Sequence, residues 1–135
     1  MNEIAWIQNF LAKEGVAIPS ELEAIIKRGK RQQPPFSFLD AEGGKIETEA
    51  MHHQFAAHQV IAFARRWDYD GVVCFVLSDP TYQRGQVLVL HDDAPPGFEI
   101  DDEFPSLAAW AKAAEEEIDE RIRMGWNESI KNLLD

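Results

Sequence analysis

Asp68-Tyr69-Asp70-Gly71-Val72-Val73-Cys74-Phe75-Val76-Leu77 decides the fold. Its run from Val72 to Leu77 is apolar throughout and is introduced by an Asp-x-Asp-Gly turn. It therefore predicts a central strand, apolar on both faces. Working outward, Ser78-Asp79-Pro80-Thr81-Tyr82-Gln83-Arg84-Gly85 is loop chemistry that returns into a second strand, Gln86-Val87-Leu88-Val89-Leu90-His91. Asp92-Asp93-Ala94-Pro95-Pro96-Gly97 breaks the sheet, and Phe98-Glu99-Ile100 predicts a brief edge strand. Phe104-Pro105-Ser106 then opens a helix running to about Arg123, with Leu107, Trp110, Ala111, Ala114 and Ile118 on its buried side. After Gly125, residues Trp126 to Leu134 can add a terminal helical turn or two.

In the other direction, Ala56, Val60, Phe63 and Trp67 repeat at helical spacing with His52 one turn earlier, which predicts a long helix from about Glu49 to Trp67. Before it, Asp40-Ala41-Glu42-Gly43-Gly44 reads as a turn and Phe36-Ser37-Phe38-Leu39 as a short strand. Lys27 to Pro35 is basic, ends in two prolines, and reads as an exposed connector. Ser20 and Glu23 satisfy a capping box for a short helix carrying Leu22, Ile25 and Ile26 and ended by Gly29. A first helix spans Glu3 to Glu14, with Ile4, Ile7 and Leu11 at helical spacing, Trp6 and Phe10 reinforcing them, and Gly15 as its C-terminal cap. Trp67, Phe75 and Trp110 are expected in one core. The elements make residues 1–135 one α+β domain with a mixed or mainly antiparallel sheet wrapped by helices, a length that supports one good core.

Composition narrows the function classes. Hydrophobic residues are 45% and charged residues 27%, ordinary for a globular chain, and no apolar run is long enough for a bilayer. Met1-Asn2-Glu3-Ile4 lacks a basic n-region, so a cytoplasmic location is expected. The net charge of -11 is one-sided: residues 1–67 carry eight Lys/Arg and eight Asp/Glu, whereas residues 68–135 carry five against sixteen. That half repels nucleic acid and favours encounter with basic surfaces, although an acidic surface also serves plain solubility.

Residues that can carry chemistry are present without the spacing chemistry needs. His52, His53 and His58 fall one, five and six apart, not the three or four that places two metal ligands on one helix face. Around Asp92, Asp93, Asp101, Asp102 and Glu103 the alternating oxygen ligands of a calcium loop are missing, with Ala94 and Pro96 in their place. Asp68 and Asp70 read as a turn before a strand rather than a magnesium site. Ser78 has no nucleophile elbow around it, and Gly43-Gly44 does not lead into a phosphate loop. Cys74, the single cysteine, reads as a packed small hydrophobe. No metal, cofactor or catalytic centre is expected.

The block from Asp68 to Leu77, with Gly85-Gln86-Val87-Leu88-Val89-Leu90-His91-Asp92-Asp93 and Phe104-Pro105-Ser106-Leu107-Ala108-Ala109-Trp110, resembles the SUKH superfamily. That fold is shared by fungal cell-wall assembly regulators of the Smi/Knr family and many bacterial proteins. Pro19-Ser20-Glu21-Leu22 is similar to the family's Leu-Pro-x-x-Leu helix, and the likeness covers roughly residues 18 to 115. Arg28-Gly29-Lys30 stands where the family has an Asn-Gly-Gly corner, and the segment with His52 and His53 is no family hallmark. The resemblance implies an α+β fold and a non-enzymatic protein-binding role, as in immunity proteins that neutralise a cognate toxin. A regulatory scaffold docking signalling or cell-wall proteins is the alternative. A hydrolase on the same frame would need a pocket holding a partnered acid, base or nucleophile. Charge placement puts the partner-facing residues at Asp92, Asp93, Asp101, Asp102 and Glu103, on loops at one end of the sheet, opposite a basic toxin domain.

Overall fold

The computed structural model describes residues 5–17, 19–27, 32–33, 35–66, 68 and 70–124. In chain order the elements are α1 (Ala5–Lys13), α2 (Ser20–Lys27), β1 (Gln32–Gln33), β2 (Phe36–Phe38), α3 (Ala41–Gln54), β3 (Gln59–Arg66), β4 (Gly71–Ser78), β5 (Val87–His91), β6 (Ile100–Phe104) and α4 (Leu107–Arg123). The strands form one six-stranded sheet in the order β1-β2-β3-β4-β5-β6, every neighbouring pair antiparallel. The fold is α+β.

Alternation along the strands sorts side chains to two faces. Val73 and Phe75 of β4 join Val87 and Val89 of β5 beneath α1, α2 and α4, whereas Val72, Cys74 and Val76 join Leu88 and Leu90 beneath α3. β4 is thus buried on both faces, as its unbroken apolar run requires. On the first face Trp110 of α4 meets the rings of Phe36, Phe38 and Phe63 edge-on, the closest with centroids 5.0 Å apart. Trp110 and Phe75 share this core; Trp67 lies outside the described residues. Leu107, Trp110, Ala111, Ala114 and Ile118 are all buried, and Ser106 caps α4 by accepting from Ala109 N–H at 3.1 Å. Cys74 is buried, and its thiol's proton affinity is raised, first by burial and then by the Glu47 charge.

Three helix-end features are settled by hydrogen bonds. Gly15, at φ +74°, closes α1 with its N–H on Ala12 O and Val16 N–H on Leu11 O, a Schellman pair. The capping box expected at Ser20 is not formed: Ser20 is already helical, its hydroxyl donates to Glu21, and Glu23 N–H bonds Pro19 O. Asp40 begins α3 by accepting from Gly43 N–H at 2.7 Å, so Asp40 to Gly44 is a helix start and not the expected turn. Gly44 is buried there against Trp6.

The long helix expected from Glu49 to Trp67 is replaced by the end of α3, a turn at Phe55–His58, and β3. Residues 60–64 are uniformly apolar, so a helical stripe and a buried strand fit them equally, and pairing with both β2 and β4 decides for the strand. A bulge completes the disguise. Ala62 pairs with Cys74 but Ala64 with Val73, leaving Phe63 as an extra residue on β3. Phe63 and Ala64 consequently face the same core, and beyond them the alternation is reversed. Arg66 is thereby placed on the α4 face, opposite Phe36, and Arg65 on the α3 face, opposite Val72.

The exposed connector expected from Lys27 to Pro35 also differs: Gln32–Gln33 pairs with β2 and Pro35 is buried, while residues 28–31 and 34 lie outside the described residues. The expected edge strand at Phe98 to Ile100 is shifted onward to Ile100–Phe104. The terminal turns expected after Gly125 lie outside the described residues.

Candidate functional site

The acidic residues singled out from the sequence divide into two groups. Asp92 and Asp93 form the turn leaving β5, anchored to the end of α3. Gln54 Nε2 donates to Asp92 Oδ1 at 2.8 Å, and Gln54 Oε1 accepts the Asp93 N–H at 2.7 Å. Asp92 also lies 3.5 Å from Arg65 Nη2, whose other terminal nitrogen holds Glu47 at 2.7 Å. Asp93 adopts φ +62°, a left-handed conformation that Asp tolerates better than most residues.

Asp101, Asp102 and Glu103 are not on a loop; they lie along the edge strand β6, all exposed. Asp102 pairs with Val89 and Glu103 with Leu88, so the two point to opposite faces. Asp101 occupies a register shift, since Leu90 pairs with Ile100 and Val89 with Asp102, and it accepts from His91 Nδ1 at 2.9 Å. Glu103 accepts a hydrogen bond from Tyr82, which raises the phenol's pKa. Phe98, just before this strand, is 76% exposed. The Glu103 N–H is taken by Asp102 Oδ1 at 2.9 Å. Charge, a register shift and a capped amide together blunt β6 against pairing with another strand.

Behind this margin His58 is buried, at 7% exposure, in the turn between α3 and β3. Its Nδ1 meets Asp79 Oδ2 and its Nε2 meets Glu99 Oε2, the latter at 2.9 Å. Asp79 follows β4, and its other oxygen accepts the N–H groups of Thr81 and Tyr82 at 2.9 and 3.2 Å. Glu99 precedes β6 and accepts the Gly97 N–H at 2.7 Å. Phe55 and Tyr82 flank the imidazole, each ring 6.5 Å away. Burial alone would lower the imidazole's pKa, but the hydrogen bonds and charges of Asp79 and Glu99 outweigh it and raise the pKa. The Glu99 carboxyl is lowered chiefly by His58. For Asp79, burial opposes ionisation, but His58 and the two backbone amides overcome it.

Sequence reasoning placed His58 on a helix beside His52 and His53 and did not connect it with Asp79 or Glu99. Two local signals were available: Asp79-Pro80 as an aspartate-capped turn, and Val60-Ile61 as a β-branched strand start that frees His58 from a helix. His52 serves the backbone instead, with Nε2 2.9 Å from Val60 O.

A second ionic cluster fixes the opposite face. Arg66 bonds Asp68 at 2.8 and 2.9 Å and Glu117 of α4 through both terminal nitrogens, and its guanidinium lies 5.0 Å from the Phe36 ring centre. Arg121 adds a 3.1 Å contact to Asp68, whose carboxyl is held below the ordinary range, first by Arg66. Asp68, read from the sequence as a turn residue before β4, is in addition an ion-pair partner of Arg66 and Arg121.

Among the described residues no group of three or more His, Cys, Asp or Glu is arranged to hold a metal, and no helix is long and apolar enough to cross a membrane. Compared with protein-family models, curated proteins and solved structures, the chain has no match.

Proposed function

We propose that this chain is a non-enzymatic protein-binding domain of the toxin-neutralising type, whose acidic β6 margin receives a basic surface of its partner. The observation that carries the reading is the exposed run Asp101, Asp102 and Glu103 on an edge strand, with the exposed Phe98 two residues before that strand. Exposed carboxylates steer a basic protein in, and a large exposed apolar ring leading into the same strand is the kind of anchor that slows its departure. Because β6 is blunted against strand pairing, side chains make the contact. The SUKH resemblance and the acidic excess of residues 68–135 support the same reading.

The test begins with capture of the partner from host cells. Association is then measured against ionic strength for the wild type and for a variant carrying Asp101→Asn, Asp102→Asn and Glu103→Gln. The variant should associate several-fold more slowly at low salt, with a flatter salt dependence and a nearly unchanged Tm. Phe98→Ala should instead raise the dissociation rate. Identical salt slopes for wild type and the triple variant would move the contact to the Glu115–Glu120 side of α4 and refute this margin. A captured protein that is harmless to cells when produced alone would favour the regulatory-scaffold reading.

A further inference from the structure

We infer that protonated His58 is a clasp fastening the β4–β5 connection and the lead-in to β6 onto the sheet, released when the imidazole loses its proton. Three separate chain segments meet at this ring: the turn before β3 supplies His58, the residues after β4 supply Asp79, and the residues before β6 supply Glu99. The ring sits between two carboxylates, one on each nitrogen. A neutral imidazole has one N–H and one lone pair, so it would turn that lone pair toward a carboxylate oxygen; only the imidazolium donates to both. Both carboxylates are kept ionised by their surroundings. Asp79 accepts two backbone N–H groups and Glu99 accepts one, and each is already an acceptor from His58.

The groups facing the ring are Asp79 and Tyr82 from the β4–β5 connection, Glu99 from the lead-in to β6, and the Phe55 ring from the end of α3. Glu103 on β6 stands behind Tyr82. Losing the proton changes this group from one net negative charge to two in a site largely withdrawn from water. The raised pKa of His58 sets the direction. The clasp contributes fully below the ordinary imidazole value of 6.5 and is lost as pH rises through the higher folded value. At the acid end both carboxyls are lowered, so the clasp is fully present above their ordinary values and is lost only as pH falls through their lower folded values. Glu99 leads directly into the exposed carboxylates, so release also disorders the margin; that consequence rests on the binding reading above, whereas the clasp does not.

Hydrogen exchange of the whole chain without partner, corrected for intrinsic rates, tests it between mildly acid and alkaline pH. Protection of the amides at 81–84 and 97–99, among them Thr81 and Tyr82 on Asp79 and Gly97 on Glu99, should fall several-fold as pH rises, while β3, β4 and β5 stay protected. His58→Gln should show low protection of both segments at every pH. If that variant fails to fold, Glu99→Gln serves: the midpoint of the His58 ring-proton NMR titration should move down toward the ordinary imidazole range. Unchanged wild-type protection across the range, or an unmoved midpoint in Glu99→Gln, would overturn the clasp. Release seen in the free chain upholds it even if a captured partner binds elsewhere.

Discussion

Trp6 lies so close to Gly44 that a Cβ at that position would sit 2.6 Å from Trp6 Cζ2 and 2.7 Å from Cη2. The indole cannot readily swing aside, because its Nε1 donates to Leu39 O at 2.7 Å. Gly44→Ala brings two opposed effects: about 1 kcal/mol of helix propensity gained, and about 1–3 kcal/mol of overpacking. With the indole pinned, overpacking wins, and urea denaturation should show a net loss. Trp6→Phe in the same chain should relieve part of it. A stabilised Gly44→Ala would mean that the indole moves freely.

Trp110 is the hub of the first core, its indole flanked by Phe36, Phe38 and Phe63. Trp110→Ala should cost about 3–5 kcal/mol, measured by denaturant unfolding. A loss below about 1 kcal/mol would show that α4 does not pack by this face.

Arg66 joins β3 to α4 by a forked contact with Glu117 while stacking on Phe36 and holding Asp68. Lysine keeps the charge but lacks the fork and the planar surface. Arg66→Lys should therefore lose about 1.5–3 kcal/mol, the range of hydrogen bonds to charged groups. Equal stability of the two proteins would assign the cluster to solvated surface charge.

Gln54 uses both ends of its amide on the turn leaving β5, one on Asp92 and one on the Asp93 N–H. Gln54→Leu should cost about 1–2 kcal/mol, because each hydrogen bond contributes about 1 kcal/mol and water replaces part of it. In the same turn Asp93→Gly should be neutral or mildly stabilising and Asp93→Val destabilising, since φ +62° is open to glycine and closed to a β-branched residue. Thermal melts of the three variants check this order.

The α+β class, the central position of β4, the return of β5, and all five buried positions of α4 were legible in the sequence. Those elements carry long, unbroken periodicity, and Ser106 marks the helix start chemically. The stretch from Asp40 to Trp67 was not. Gly44 is small because Trp6, distant in sequence, needs the space, yet a paired glycine reads locally as a turn. The extra residue at Phe63 breaks the period of two that would have announced β3, leaving Val60 and Phe63 at a helical interval. Of the proposed partner-facing residues, their acidity and exposure were legible. Their division between the Gln54-anchored turn and a strand edge was not, nor was the pairing of His58 with Asp79 and Glu99. Each of those three sits in an ordinary local context, and only the tertiary fold joins them.

The strictly sequential order of the sheet bears on how the chain reaches this structure. Among the described residues each strand pairs only with the strands next to it in the chain, and β3 ends at Arg66 while β4 begins at Gly71. The β3–β4 hairpin therefore closes a short loop, with little entropic penalty, and buries the most apolar strand as it forms. β5 and then β6 can be added by further hairpin closures, each roughly eight residues of loop in length. Such a topology has low contact order for a β-rich chain, so folding should be fast for its sheet content. α4 must dock across strands made much earlier in the chain, and its arrival closes the first core. Substitutions at Val73 or Val89 should thus slow folding, whereas those at Ile118 should mainly quicken unfolding.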